Sequence, residues 1–109
     1  MIVRTEIFYF NNKEDAINLA KKLKGYVDVE NGNLLNPHID IKPFHNIIIF
    51  CEEKTNVENL LSKYYSYISE KNIYIISSKH FNVRYSKIRF LNSNNSLDSI
   101  ARIVNLQIE

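Results

Sequence analysis

A chain of 109 residues, 45% hydrophobic and 24% charged, has the length and make-up of one globular domain covering residues 1–109. That composition excludes a disordered tail, a collagen-like chain and a coiled-coil rod, and two Gly with two Pro are too few for the many turns of a β-sandwich. A net charge of +2 is too small to imply a nucleic-acid partner by itself.

Residues 2–10 are mostly β-branched and aromatic, and Ile7, Phe8, Tyr9 and Phe10 follow one another without a polar break. A strand apolar on both faces belongs at the centre of a parallel sheet. A turn at Asn11 and Asn12 leads into Ala16, Leu19, Ala20 and Leu23 at helical spacing, with Ile17 beside them. Asn12 is the expected N-cap. Glu14 and Asp15 in the first turn and Lys21, Lys22 and Lys24 in the last complement the helix dipole, and Gly25 is the expected stop. Residues 26–29 read as a short strand. Residues 30–45, broken by Gly32, Pro37 and Pro43, read as an irregular connection with a short extended piece at Ile39 and Ile41. A connection of that length is either a shortened helix or a functional loop.

Residues 47–51 are an unbroken apolar run and form a buried strand, ended by Glu52, Glu53 and Lys54. Thr55, Asn56, Val57 and Glu58 match a capping box, in which the Thr hydroxyl and the Glu carboxylate each satisfy a free backbone N–H. Val57, Leu60, Leu61, Tyr64, Tyr65 and Ile68 make the apolar stripe of the helix that follows, and Asn72 can end it. Residues 73–76 form a third apolar strand. Residues 77–87 are polar and basic, and residues 87–91 read as a strand with Ile88 and Phe90 on one face. Ser96 or Asn95 caps a last helix with Leu97, Ile100, Ala101 and Val104 turned inward.

Strands alternating with helices predict an α/β fold: a small doubly wound parallel sheet of about five strands with three helices on its two faces. The alternative is a ferredoxin-like α+β unit with an appended strand and helix, which matches the first six elements equally well. The parallel sheet is preferred because three strands are apolar on both faces, whereas a sheet with one open face alternates.

The segments TEIFYFNNKEDAINLAKKL, IDIKPFHNIIIFCEE, KNIYIISSKHFNVRYS and KIRFLNSNNSLDSIARIV resemble the flavodoxin-like superfamily, and most of all the compact ribonucleotide-reductase-stimulating flavodoxins. The resemblance implies an FMN-binding electron-transfer protein. It places the phosphate in the loop after the first strand, here Asn11, Asn12 and Lys13, and the flavin ring by the loop after the third, here Cys51, Glu52 and Glu53. Both loops depart from the family pattern. The first has no Ser, Thr or Gly, and Glu14 and Asp15 stand where a phosphate dianion would approach. Like charges ~4–6 Å apart repel by about 1 kcal/mol even in water. The second lacks glycines that let backbone approach a ring. The expectation is therefore a flavin-free protein.

Cys51 is a single cysteine, so it can form no internal disulfide and no thiolate zinc site. A reducing cytoplasm is the expected location. Arg4 and Glu6 interrupt the first apolar stretch, so no signal peptide is expected, and no run approaches the ~20 residues of a membrane span. Glu52 and Glu53 would raise the Cys51 thiol pKa, which argues for a structural cysteine. Histidines His38, His45 and His80, with Asp40, match no metal-ligand spacing. No nucleophile elbow is present, and Glu52 with Glu53 reads as exposed acid before a helix rather than an acid–base pair. No catalytic residue and no metal site is expected.

The most distinctive charge feature comes late. No acid lies between Glu70 and Asp98, while Lys71, Lys79, Arg84, Lys87 and Arg89 do, interleaved with Phe81, Tyr85 and Phe90. Ser77, Ser78, Lys79, Arg84, Lys87 and Arg89 are thus candidates for a phosphate or nucleic-acid site. The competing explanation is an edge strand charged against aggregation. Tyr67 falls off the apolar stripe that holds Tyr64 and Tyr65, and a homodimer or protein partner could cover it. The sequence therefore predicts a flavin-free accessory or interaction module. An FMN electron carrier is the first alternative, and a phosphate- or nucleic-acid-binding module using residues 79–89 is the second.

Overall fold

The computed structural model describes residues 3–34, 45–63, 72–84 and 87–108. Their order is β1 (Arg4–Tyr9), α1 (Lys13–Ala20), β2 (Tyr26–Asn31), a 3-10 turn (Gly32–Leu34), β3 (Asn46–Phe50), α2 (Lys54–Ser62), β4 (Asn72–Ser77), β5 (Ile88–Asn92) and α3 (Leu97–Ile108). The strands form one five-stranded sheet in the order β2-β1-β3-β4-β5, with every neighbouring pair parallel. This is an α/β fold with the strand order of flavodoxin-like sheets. The ferredoxin-like alternative needs antiparallel neighbours and is overturned.

Two cores explain why the central strands show no alternation. Ile7, Ile48, Phe50, Tyr74 and Ile76 face one side and pack with Ala16 and Leu19 of α1 and with Ile100, Ala101 and Val104 of α3. Phe8, Ile47, Ile49, Ile73 and Ile75 face the other and pack with Val57, Leu60 and Leu61 of α2. Period-two side-chain direction sends consecutive isoleucines into opposite layers, so a strand covered on both sides must be apolar throughout. Each fully buried Ile or Leu contributes about 1.5–3 kcal/mol against exposure.

Two helix boundaries, and the way one expected cap is made, differ from the sequence reading. Asn12 stands at the N-cap of α1, but in a left-handed conformation (φ 60°) with no side-chain capping bond. α1 ends at Ala20, so Lys21, Lys22 and Lys24 lie past it rather than in its last turn. α2 starts at Lys54 with Glu53 at the N-cap, two residues earlier than a Thr55 capping box requires. Ser96 caps α3 as expected: its hydroxyl accepts from the Ser99 N–H at 3.2 Å and its carbonyl from the Ile100 N–H at 3.1 Å.

Polar contacts lock the strands at their amino ends. Asn46, 1% exposed, donates its amide to the Thr5 hydroxyl at 3.2 Å and accepts from the Asn72 amide at 3.0 Å, which ties β1, β3 and β4 in register. His45 joins the same edge, its Nδ1 accepting from the Arg4 N–H at 3.2 Å. On the α1–α3 face of the sheet, Asn105 of α3 clasps the chain at the end of α1. It donates to the Lys22 carbonyl at 3.1 Å and accepts from the Lys24 N–H at 3.0 Å, and Lys22 pairs with Asp98 at 2.7 Å.

Tyr64, Tyr65, Tyr67, Ile68, Lys71 and Tyr85, and the loop residues Pro37, His38, Ile39, Asp40, Ile41 and Pro43, lie outside the described residues. No helix among the described residues is long and apolar enough to cross a membrane.

Candidate functional site

In a doubly wound sheet, ligands sit beyond the carboxyl ends of the strands, where neighbouring connections leave toward opposite faces. That point lies between β1 and β3, since α1 packs on one face and α2 on the other. The ladder runs one residue past β1 there, with the Phe10 N–H donating to the Phe50 carbonyl at 2.9 Å. An open pocket of about 230 Å³ lies between the two loops, lined by Phe10, Asn11, Cys51, Glu52, Glu53 and Asn56. The structure thus brings Asn11, Cys51, Glu52 and Glu53 together. Asn12 and Lys13 are exposed at the start of α1, followed by exposed Glu14 and Asp15.

Cys51 closes the floor of this pocket and is 1% exposed. Its thiol donates to the Glu53 carbonyl at 3.2 Å, and its sulfur accepts from the Glu53 N–H at 3.4 Å. Burial pushes the thiol pKa up from 9.0. The charges of Glu53 and Glu52 add to that rise, and the hydrogen bonds to the Glu53 and Val57 backbone offset only part of it. The group is a neutral, packed thiol.

Glu52 turns the other way, across to the end of β4. Its carboxylate accepts from the Ser77 hydroxyl at 3.0 Å, from the Ser78 hydroxyl at 2.6 Å, and from the Ser78 N–H at 2.9 and 3.1 Å through its two oxygens. Partial burial works against its charge. The hydrogen bonds from Ser78 and Ser77 and the positive charge of Lys79 outweigh that effect and hold the carboxyl below its ordinary value of 4.5. The Ser77 oxygen also accepts from the Lys79 N–H at 3.0 Å, which curls the loop around the carboxylate. Beyond the serines a second open pocket, about 210 Å³, is lined by Ser77, Ser78, Lys79, His80, Phe90, Leu91 and Asn92. The His80 ring lies 4.5 Å from that of Phe90, and Phe81 meets Phe90 edge-on at 5.1 Å.

The basic residues of 79–89 do not converge. Lys79 follows the carboxyl end of β4, while Lys87 precedes the amino end of β5, so a strand length of about 15 Å separates the two edges. Arg84 lines a pocket with Glu58, Asn59 and Ser62 on the α2 side. Arg89 stands in β5 opposite Tyr74, whose ring packs in the α1–α3 layer, whereas its neighbour Phe90 packs in the α2 layer. Among the described residues no cluster of His, Cys, Asp and Glu could hold a metal ion.

Sequence reasoning placed Glu52 and the Ser77–Ser78 pair in separate candidate sets and missed their contact. The signal was available: each follows an apolar run, and adjacent parallel strands put their following residues side by side. Comparison with family models, curated proteins and solved structures finds no match to this chain.

Proposed function

We propose that this protein is a flavin-free accessory or interaction module built on a flavodoxin-like sheet, acting by contact rather than by catalysis. The observation that carries the reading is the carboxylate of Glu52, which takes up the hydroxyl and N–H donors at the ligand edge of β3 and β4.

The first loop does not fit a phosphate. It offers no hydroxyl between Phe10 and Asp15, and its two acids stand exposed in the first turn of α1. A phosphate dianion there meets charge of its own sign where the helix terminus alone would attract it. Cys51 has neither the exposure nor the lowered pKa of a nucleophile. Tyr26, Leu106 and Ile17 are exposed apolar side chains on β2, α3 and α1, and they are contact points for a protein partner or a second copy.

The test is the absorption spectrum of the purified protein with an FMN titration and native mass. The reading expects no flavin bands and no saturable quenching of FMN fluorescence. Stoichiometric FMN retained through purification overturns it.

A further inference from the structure

We propose that the loop after β4 is a binding site for a phosphate-type oxyanion, formed by the Ser77 hydroxyl, the Ser78 hydroxyl and N–H, and the Lys79 ammonium, and that Glu52 occupies it as a displaceable internal anion. This goes beyond the flavin-free reading, which starts from the same Glu52 contact but is tested by flavin absorbance, whereas the site proposed here is tested by phosphate binding to the β4 loop.

The donor set is that of an oxyanion site. Two hydroxyls and one N–H converge on a single carboxylate, and one of its oxygens accepts from all three. Lys79, next in the chain, adds a positive charge that acts on the same carboxylate from nearby. A tetrahedral oxyanion presents the same pair of oxygens with greater charge, so each charge-assisted bond is retained on exchange. The cradle stands at the carboxyl end of a central strand, the edge that parallel sheets use for ligands.

Space exists on both sides of the carboxylate. The pocket lined by Asn11, Glu53 and Asn56 can receive the displaced Glu52 side chain, which is only partly buried. The pocket lined by His80 and Phe90 opens from the serines on the far side and can take the organic part of a phosphate monoester against the paired rings. Glu52 competes from the same chain, at an effective concentration in the millimolar range or above, so it masks the site from dilute anions without removing a donor.

Inorganic phosphate is the probe. Wild type, Glu52→Gln and Glu52→Ala are titrated at constant ionic strength with sodium chloride as the balancing salt, and the amide resonances of Ser78 and Lys79 are followed by NMR. The expected result is saturable movement of those two amides in Glu52→Ala, with a midpoint about tenfold or more below that of the wild type. Adding Ser78→Ala to that variant abolishes it. Glu52→Gln keeps the shape of the tie without its charge and falls between them. The proposal is overturned if a folded Glu52→Ala or Glu52→Gln protein shows no saturable shift. Equal midpoints in wild type and variants, or a response that survives Ser78→Ala, also overturn it.

Discussion

Ser78 gives both of its donors to one group: its hydroxyl reaches the Glu52 carboxylate at 2.6 Å and its N–H reaches the same carboxylate at 2.9 Å. The contact joins the loop after β3 to the loop after β4, residues 26 apart in the chain. It decides the electrostatics of the ligand edge, because the donors there face an anion the protein already carries.

The stability contributed by this contact depends on pH with a definite sign. The folded-state pKa of Glu52 lies below the ordinary 4.5, so the stabilisation is complete above that value and is lost as pH falls through the lower folded-state value. Glu52→Gln should lower unfolding free energy by about 1–2 kcal/mol at neutral pH, the modest size of charge-assisted hydrogen bonds that water partly screens. Urea unfolding of both proteins across the acid range measures the difference. A gap that stays constant well below pH 4.5 contradicts the assignment.

Cys51 should resist thiol reagents. Burial, with Glu53 and Glu52 nearby, raises its pKa from 9.0, and the sulfur is covered. At mildly alkaline pH a disulfide-exchange reagent should label native protein only as fast as the molecule opens, and label urea-unfolded protein at once. Rapid labelling of the native state would show a reactive thiol instead.

Tyr74 carries a buried hydroxyl with no hydrogen-bond partner among the described residues, in a side chain 1% exposed. A desolvated hydroxyl without a partner costs more than it returns, so Tyr74→Phe should leave stability unchanged or raise it by up to about 1 kcal/mol. Thermal unfolding tests this directly. A clear loss would mean that the hydroxyl is satisfied in solution.

Gly25 has φ +85°, and a Cβ added there would lie 2.3 Å from the Val3 carbonyl oxygen. That oxygen is held by the Tyr26 N–H at 3.0 Å at the entry to β2. Gly25→Ala therefore meets both a disfavoured backbone conformation and backbone atoms that cannot step aside. It should destabilise by about 1–3 kcal/mol in denaturant unfolding. A neutral effect would require the turn to be built differently.

The fold was legible because its strongest signals are local. Apolar runs such as Ile47, Ile48 and Ile49 are explained only by strands covered on both faces, and that coverage implies helices between parallel strands. The ligand-edge loops were legible for the same reason, since they follow those runs. Helix starts were read less well. Asn12 and Thr55 have good capping side chains, yet the turns after β1 and β3 place Asn12 in a left-handed conformation and start α2 at Lys54. Tertiary constraints on where the chain leaves the sheet outweighed a capping preference of about 1 kcal/mol.

The amino-acid sequence alone determined the layers: which segments are strands, which are helices, and that the central strands are enclosed. Hydrophobic periodicity carries that information because burial acts residue by residue. Only the tertiary structure decided which distant polar groups meet. It paired Glu52 with Ser77 and Ser78, linked Thr5, Asn46 and Asn72 across three strands, and spread Lys79, Lys87 and Arg89 over different edges and faces. Such pairings depend on strand order and register, which no local pattern of residue types encodes.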